Sequence, residues 1–124
     1  MTAIKIILNP TAGRGYGAKI EPELRRLLKA EGLNFDLVRT QRPWHAAELA
    51  EQAANDGFET IVAAGGDGTS NKVVNGLMAA AQDGTTAVMG IIPVGSGSDF
   101  AKMLCTDAHR IEFELFARRL RVRC

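Results

Sequence analysis

The sequence predicts an α/β fold, a parallel sheet covered by helices on both faces in a three-layer αβα arrangement. Three observations predict it. Four short apolar runs alternate with segments whose apolar residues recur at helical spacing, the pattern of strands joined by helical crossovers. The runs carry few polar interruptions, as strands buried on both faces do. The three richest glycine turns each follow the carboxyl end of a strand: after Leu8, after Ala64 and after Pro93. In open α/β sheets ligands bind beyond those ends, so the coincidence points to a site as well as to a fold.

Residues 3–9 (AIKIILN) are isoleucine-rich and read as the first strand. After a glycine-rich turn, Ile20, Leu24, Leu27 and Leu28 mark one face of a helix, with Gly32 as its stop. Pro22 is expected in the first turn of this helix, where no backbone donor is needed. Residues 34–40 (NFDLVRT) form the second strand, and Ala46, Leu49, Ala50 and Ala53 a small-residue helix face ended near Gly57. Residues 60–65 (TIVAAG) form the third strand. Val73, Val74, Leu77, Met78 and Ala81 are expected to be the apolar face of the third helix, and residues 87–95 (AVMGIIPVG) the fourth strand. Each crossover should be right-handed. Beyond them Ser98 is placed to cap a short helix, a further helix is expected through Phe116, and residues 120–124 read as the opening of a strand. A strand that begins where the chain ends suggests a fragment or truncated form, with residues 1–124 as one domain.

A chain of 124 residues can remove roughly two-thirds of its unfolded surface from water. With 46% hydrophobic and 23% charged residues it is neither disordered nor fibrous. A formal net charge of +1 argues against a broad electrostatic grip on nucleic acid. Cys105 and Cys124 make no disulfide framework and no metal spacing, and read as thiols in a reducing cytoplasm. The N-terminus lacks the pattern of a signal peptide, and no apolar stretch approaches a membrane span. The expectation is a soluble, cytoplasmic protein, at most peripheral to a membrane.

Residues 65–69 (GGDGT) stand between the third strand and the third helix. Glycine lets a ligand approach the backbone closely, and successive N–H groups can converge on an anion. The helix that follows adds the positive end of its dipole. Thr69 is expected to cap that helix and to offer a hydroxyl. Asp67 conflicts with a bare phosphate site, and a divalent cation resolves the conflict. Mg²⁺ takes oxygen ligands and keeps several waters, so one carboxylate can hold it beside a polyphosphate. A purely structural Asp-Gly turn is the alternative.

The first turn, residues 9–17 (NPTAGRGYG), has no Lys-Ser or Lys-Thr pair after it and fits G-x-G-x-x-G poorly, so it is not a standard phosphate loop. Arg14 is placed to clamp a phosphate, or is a solvated loop arginine. In the third turn Ser96 and Ser98 lie among glycines, where they complete a phosphate or ribose site or serve as caps alone. His45, alone before an alanine-rich helix, reads as structural rather than as a general base, and His109 has no partner pattern. The basic tail from Arg110 to Arg123 suits either anionic lipid or a solvated face.

In their order along the chain, NPTAGRG, GGDGTSN and PVGSGSDFAK resemble the nucleotide-binding half of the diacylglycerol kinase catalytic family. That family takes in bacterial lipid kinases and the sphingosine and ceramide kinases. The resemblance covers essentially the whole chain, and residues 40–50 (TQRPWHAAELA) are similar to the family's threonine with a downstream His-Ala. GGDG by itself is shared with NAD kinases and 6-phosphofructokinases.

The resemblance implies a fold of the NAD kinase and diacylglycerol kinase type. It also implies phosphoryl transfer from ATP to a lipid hydroxyl, assisted by Mg²⁺. The expected ATP site comprises Asn9, Gly13, Arg14, Thr40, Gly65, Gly66, Asp67, Gly68, Thr69, Ser70, Asn71, Lys72, Gly95 and Ser96. Asp67 would hold the metal, directly or through water. Two places depart from the family: Lys72 stands where glutamate is common, and residues 95–99 read GSGSD in place of Gly-Thr-Gly-Asn-Asp. Family members are more than twice as long and continue into a β-rich C-terminal domain, absent here, that supplies lipid contacts and the carboxylate expected to act as base. The expectation is therefore the ATP-binding half of a lipid kinase, inactive alone. Its partners would be nucleotide and, in the complete protein, a lipid at a membrane surface. An NAD kinase-like enzyme and a non-catalytic nucleotide-binding module are the alternatives, and unsatisfied strands at the carboxyl end leave room for a homodimer.

Overall fold

A computed structural model describes residues 4–30 and 32–94. The expectations for Gly95, Ser96, the Ser98 cap, His109, both cysteines and the basic tail lie outside the described residues.

Strand and helix alternate: β1 (Ile4–Leu8), α1 (Ala12–Ala30), β2 (Phe35–Arg39), α2 (His45–Asn55), β3 (Thr60–Gly65), α3 (Asp67–Gln82) and β4 (Val88–Pro93). All three strand pairings are parallel, and the order across the sheet is β2-β1-β3-β4. Successive side chains on a strand point to opposite faces. Ile4, Ile6 and Leu8 of β1 therefore pack with Ile20, Leu24 and Leu28 of α1. Ile7, with Ile61 and Ala63 of β3, packs on the other face against Ala46, Ala50 and Ala53 of α2 and Val73 of α3. One helix covers one face and two cover the other, which gives the three layers expected. The largest fully buried side chains include Ile6, Ile7, Leu8, Ile61 and Val62. Each contributes roughly 1.5–3 kcal/mol by leaving water, so stability centres on β1 and β3, the inner strands.

The apolar face of α3 differs from the expectation. Its buried residues are Thr69, Val73, Gly76 and Ala80, while Val74 and Met78 are exposed, as is Ala81, and Leu77 is only partly buried. The cause is the closeness of α2. A Cβ on Gly76 would lie 2.2 Å from the Ala47 carbonyl oxygen and 2.9 Å from Ala50 Cβ. Small residues on both helices let the backbones meet, and no large side chain fits between them.

The start of α1 also differs. It opens at Ala12 with a left-handed turn through Gly13 (φ 62), Arg14 (φ 59) and Gly15 (φ 90), and Pro22 sits inside the helix rather than in its first turn. Pro22 thereby removes the bond that the Ala18 carbonyl would otherwise accept. The early start is set by packing: Gly17 is buried so close to the end of β1 that a Cβ there would lie 2.2 Å from the Asn9 carbonyl oxygen. Among the described residues no helix is long and apolar enough to cross a membrane.

Candidate functional site

Neighbouring strands β1 and β3 send their following helices to opposite faces of the sheet. A crevice opens between their carboxyl ends, the topological switch point of the fold. Asn9, the first residue beyond β1, occupies it. Its N–H donates to the Ala64 carbonyl at 2.9 Å. Its Oδ1 accepts from the Thr11 N–H at 3.1 Å and from the Thr11 hydroxyl at 2.8 Å, closing an Asx turn. Its Nδ2 donates to Thr69 Oγ1 at 3.3 Å. One amide side chain thus ties the turn after β1 to the first turn of α3.

Thr69 does not cap α3 as expected. The cap position is Gly66, with no side-chain cap bond, and Thr69 is the third helical residue, 6% exposed. Its hydroxyl faces Asn9 because its side chain packs on Gly65, where a Cβ would come within 2.5 Å of Oγ1. The first N–H groups of α3 have no intrahelical acceptor and take no side-chain cap, so they can receive an anion at the positive end of the helix dipole. The N-terminus of α2 lies at the same end of the sheet and is likewise without a side-chain cap bond.

Around these features lies a cleft of about 330 Å³, within the range of small-molecule sites. Its walls are Asn9 and Thr11 from the first turn, Thr40, Gln41, Arg42, Pro43, Trp44 and Ala46 from the end of β2 and the start of α2, and Thr69 and Lys72 from α3. Arg42 is neutralised by Glu48, donating to Oε1 at 3.0 Å and also to Oε2. That hydrogen bond, aided by the attraction of the charges, holds the Glu48 carboxyl below its ordinary range and raises the guanidinium. Lys72 joins none of the ion pairs found among the described residues. Its Nζ lies 5.5 Å from the centroid of the Trp44 ring. His45 accepts the Gln41 N–H on Nδ1 at 3.0 Å and so holds the turn before α2.

Of the residues expected at the site, Asn9, Thr40, Thr69 and Lys72 are brought together in the cleft wall. Gly65, Gly66, Gly68, Ser70 and Asn71 build the strand end and first turns of α3 around it, and Asp67 is exposed in the first of those turns. Gly13 and Arg14 lie in the left-handed turn, outside the cleft lining. The sequence motifs do not single out Thr11, Gln41, Arg42, Pro43, Trp44 or Ala46 for the site. The available signal is position, since all of them follow strand ends. Among the described residues no three metal-ligating side chains cluster. Mg²⁺ held by one carboxylate together with phosphates needs no such cluster, so Asp67 fits that use.

Residues 3–121 match the family model of the diacylglycerol kinase catalytic domain. The chain belongs to this family. Among its diacylglycerol kinase relatives, that of Bacillus subtilis is 38% identical over 104 residues, 84% of this chain and 33% of the relative. That of Staphylococcus haemolyticus is 37% identical over 100 residues, 81% of this chain and 29% of the relative. The chain thus spans about a third of the length of these curated relatives. A solved structure of a diacylglycerol kinase from Bacillus anthracis is similar with a TM-score of 0.59 and 25% identity, covering 91% of this chain and 42% of that one. The family match decides between the diacylglycerol kinase and NAD kinase alternatives that the GGDG turn alone leaves open.

Proposed function

We propose that this chain is the ATP-binding half of an ATP-dependent lipid kinase that transfers the γ-phosphoryl group to a lipid hydroxyl. The observation that carries the proposal is the Asn9–Thr69 bond, which closes the turns after β1 and β3 around one cleft. Phosphoryl transfer requires the protein to position the phosphate chain and to offset its charge. The uncapped first turn of α3 and the cleft hydroxyls of Thr11, Thr40 and Thr69 are suited to both requirements, and Lys72 lines the same cleft. Asp67 would hold Mg²⁺, which supplies charge neutralisation at the phosphates. In this proposal Asn9 and Gly13 shape the first loop; Arg14, the expected phosphate clamp, lies outside the cleft lining, and Gly95 and Ser96 lie outside the described residues. The complete protein works from the cytoplasm at a membrane surface, where the lipid is presented. No residue of this chain is assigned as the base that activates the lipid hydroxyl. The chain alone should therefore turn over far more slowly than the roughly 1–100 per second of working kinases.

Calorimetric titration of the chain and of Asp67→Asn with ATP, with and without Mg²⁺, tests the site. The expected result is binding by both, with the advantage conferred by Mg²⁺ lost in the variant. Identical Mg²⁺ dependence in the two proteins removes Asp67 from the metal, and absence of binding by either overturns the ATP site itself.

A further inference from the structure

We infer that Trp44 is the platform on which the nucleobase stacks, with the Lys72 ammonium over one face of its ring; the inference rests on the ATP site proposed above. Trp44 begins α2 in the left-handed region at φ 67, a conformation unfavourable for a residue with a side chain. It also makes no side-chain cap bond, at a position where serine, threonine, aspartate or asparagine would supply one. A residue that breaks two local rules is expected where binding uses it. Trp44 is 56% exposed yet belongs to the cleft wall, so its apolar surface is offered to whatever enters.

Lys72 accounts for one face of the indole, 5.5 Å from its centroid, in a cation–π contact that restrains the ring. The remaining exposed surface is suited to a purine, because a base stacks on an aromatic ring whatever its hydrogen-bonding edge. The cleft then has a phosphate end at Asn9, Thr69 and the start of α3, and a base end at Trp44. Trp44 is in this sense a specificity residue, separating a nucleotide from a bare polyphosphate.

Trp44 is the chain's single tryptophan, so its emission reports on this ring alone. The full chain is titrated with Mg-ATP and with Mg-tripolyphosphate, by fluorescence and by calorimetry, alongside Trp44→Gly and Trp44→Phe. The expected result is an emission change with Mg-ATP but not with tripolyphosphate. Trp44→Gly should bind Mg-ATP about tenfold more weakly, Trp44→Phe within about threefold of wild type, and both should hold tripolyphosphate as wild type does. Trp44→Gly should also melt at a higher temperature, since glycine accepts the left-handed backbone. A purely structural role for the indole would lower that temperature and leave ATP affinity in place. Unchanged ATP affinity in Trp44→Gly, or an equal emission change with tripolyphosphate, overturns the stacking role while leaving the ATP site intact. Absence of ATP binding to the unsubstituted chain overturns both.

Discussion

Gly65 shows how a residue with no side chain shapes a polar contact. It closes β3 directly beneath Thr69, and the room that it leaves is what lets the threonine hydroxyl face Asn9. In Gly65→Ala the new methyl would stand 2.5 Å from Thr69 Oγ1 and 2.8 Å from Thr69 Cβ. Neither atom is the end of a flexible chain, so the strand end or the first turn of α3 must shift. The expected cost is about 1–3 kcal/mol in urea unfolding, together with weaker Mg-ATP binding. Wild-type stability with undiminished binding would show that this contact yields freely. Residue-scale legibility is uneven for a physical reason. The glycines of the 65–69 turn stand out in sequence by their clustering, although none of the three has a positive φ and Gly65 acts by the room it leaves for Thr69. Thr69 reads as a cap because a hydroxyl near a helix start usually is one, and only Asn9, sixty residues away, decides otherwise. Trp44 is hidden for the opposite reason: nothing local favours tryptophan in the left-handed region.

At the scale of elements, the strands and the second helix are legible because burial dictates their composition. Residues 60–65 coincide with β3, β2 is shorter than expected by one residue at either end, and β1 ends one residue earlier than expected. The buried face of α3 is not legible, because hydrophobicity does not mark a close crossing; Gly76 and the α2 alanines win that face by being small. Between α1 and β2 an electrostatic tie adds to the apolar core that Leu37 shares with Leu24 and Leu28. Glu21 of α1 pairs with Arg25 on its own helix at 2.9 Å and with Arg39 of β2. Partial burial of Glu21 opposes its ionisation, but the bonds from Arg25 and Arg39 outweigh this and hold its carboxyl below the ordinary value. The sign follows from linkage: a carboxyl with a lowered folded pKa stabilises the fold fully above its unfolded value, about 4.3 for glutamate. That contribution is lost as pH falls through the lower folded value. Glu21→Gln should therefore be less stable than wild type near neutrality, with the two converging toward the acid limit. Urea midpoints measured from about pH 7 down to the acid limit test this, and a constant gap across that range would remove Glu21 from the acid response. The effect should be small, because Arg39 is half exposed.

For the whole molecule, the cleft is not an appendage of the fold. Its walls rise from the ends of β1 and β2 and from α3, and β1 with β3 carries the most deeply buried side chains. The bond from the Asn9 N–H to Ala64 and that from the Thr40 N–H to Leu8 continue the sheet's own pairing up to the rim of the site. On the side of Asn9, Thr40 and Thr69 a ligand held there meets backbone joined to the central sheet, so its binding energy should appear as global stability. Mg-ATP at about one hundred times its dissociation constant adds about 2.7 kcal/mol to a fold that binds it only when native. In a domain of this size that should raise the thermal midpoint by roughly 10 °C. The rise should depend on ATP concentration logarithmically and should shrink in Asp67→Asn when Mg²⁺ is present. Binding seen by calorimetry with no rise in the midpoint would place the nucleotide on a surface that opens independently of the sheet. The switch-point cleft would then be the wrong site, because Asn9 and Thr40 at its rim are hydrogen-bonded into the sheet.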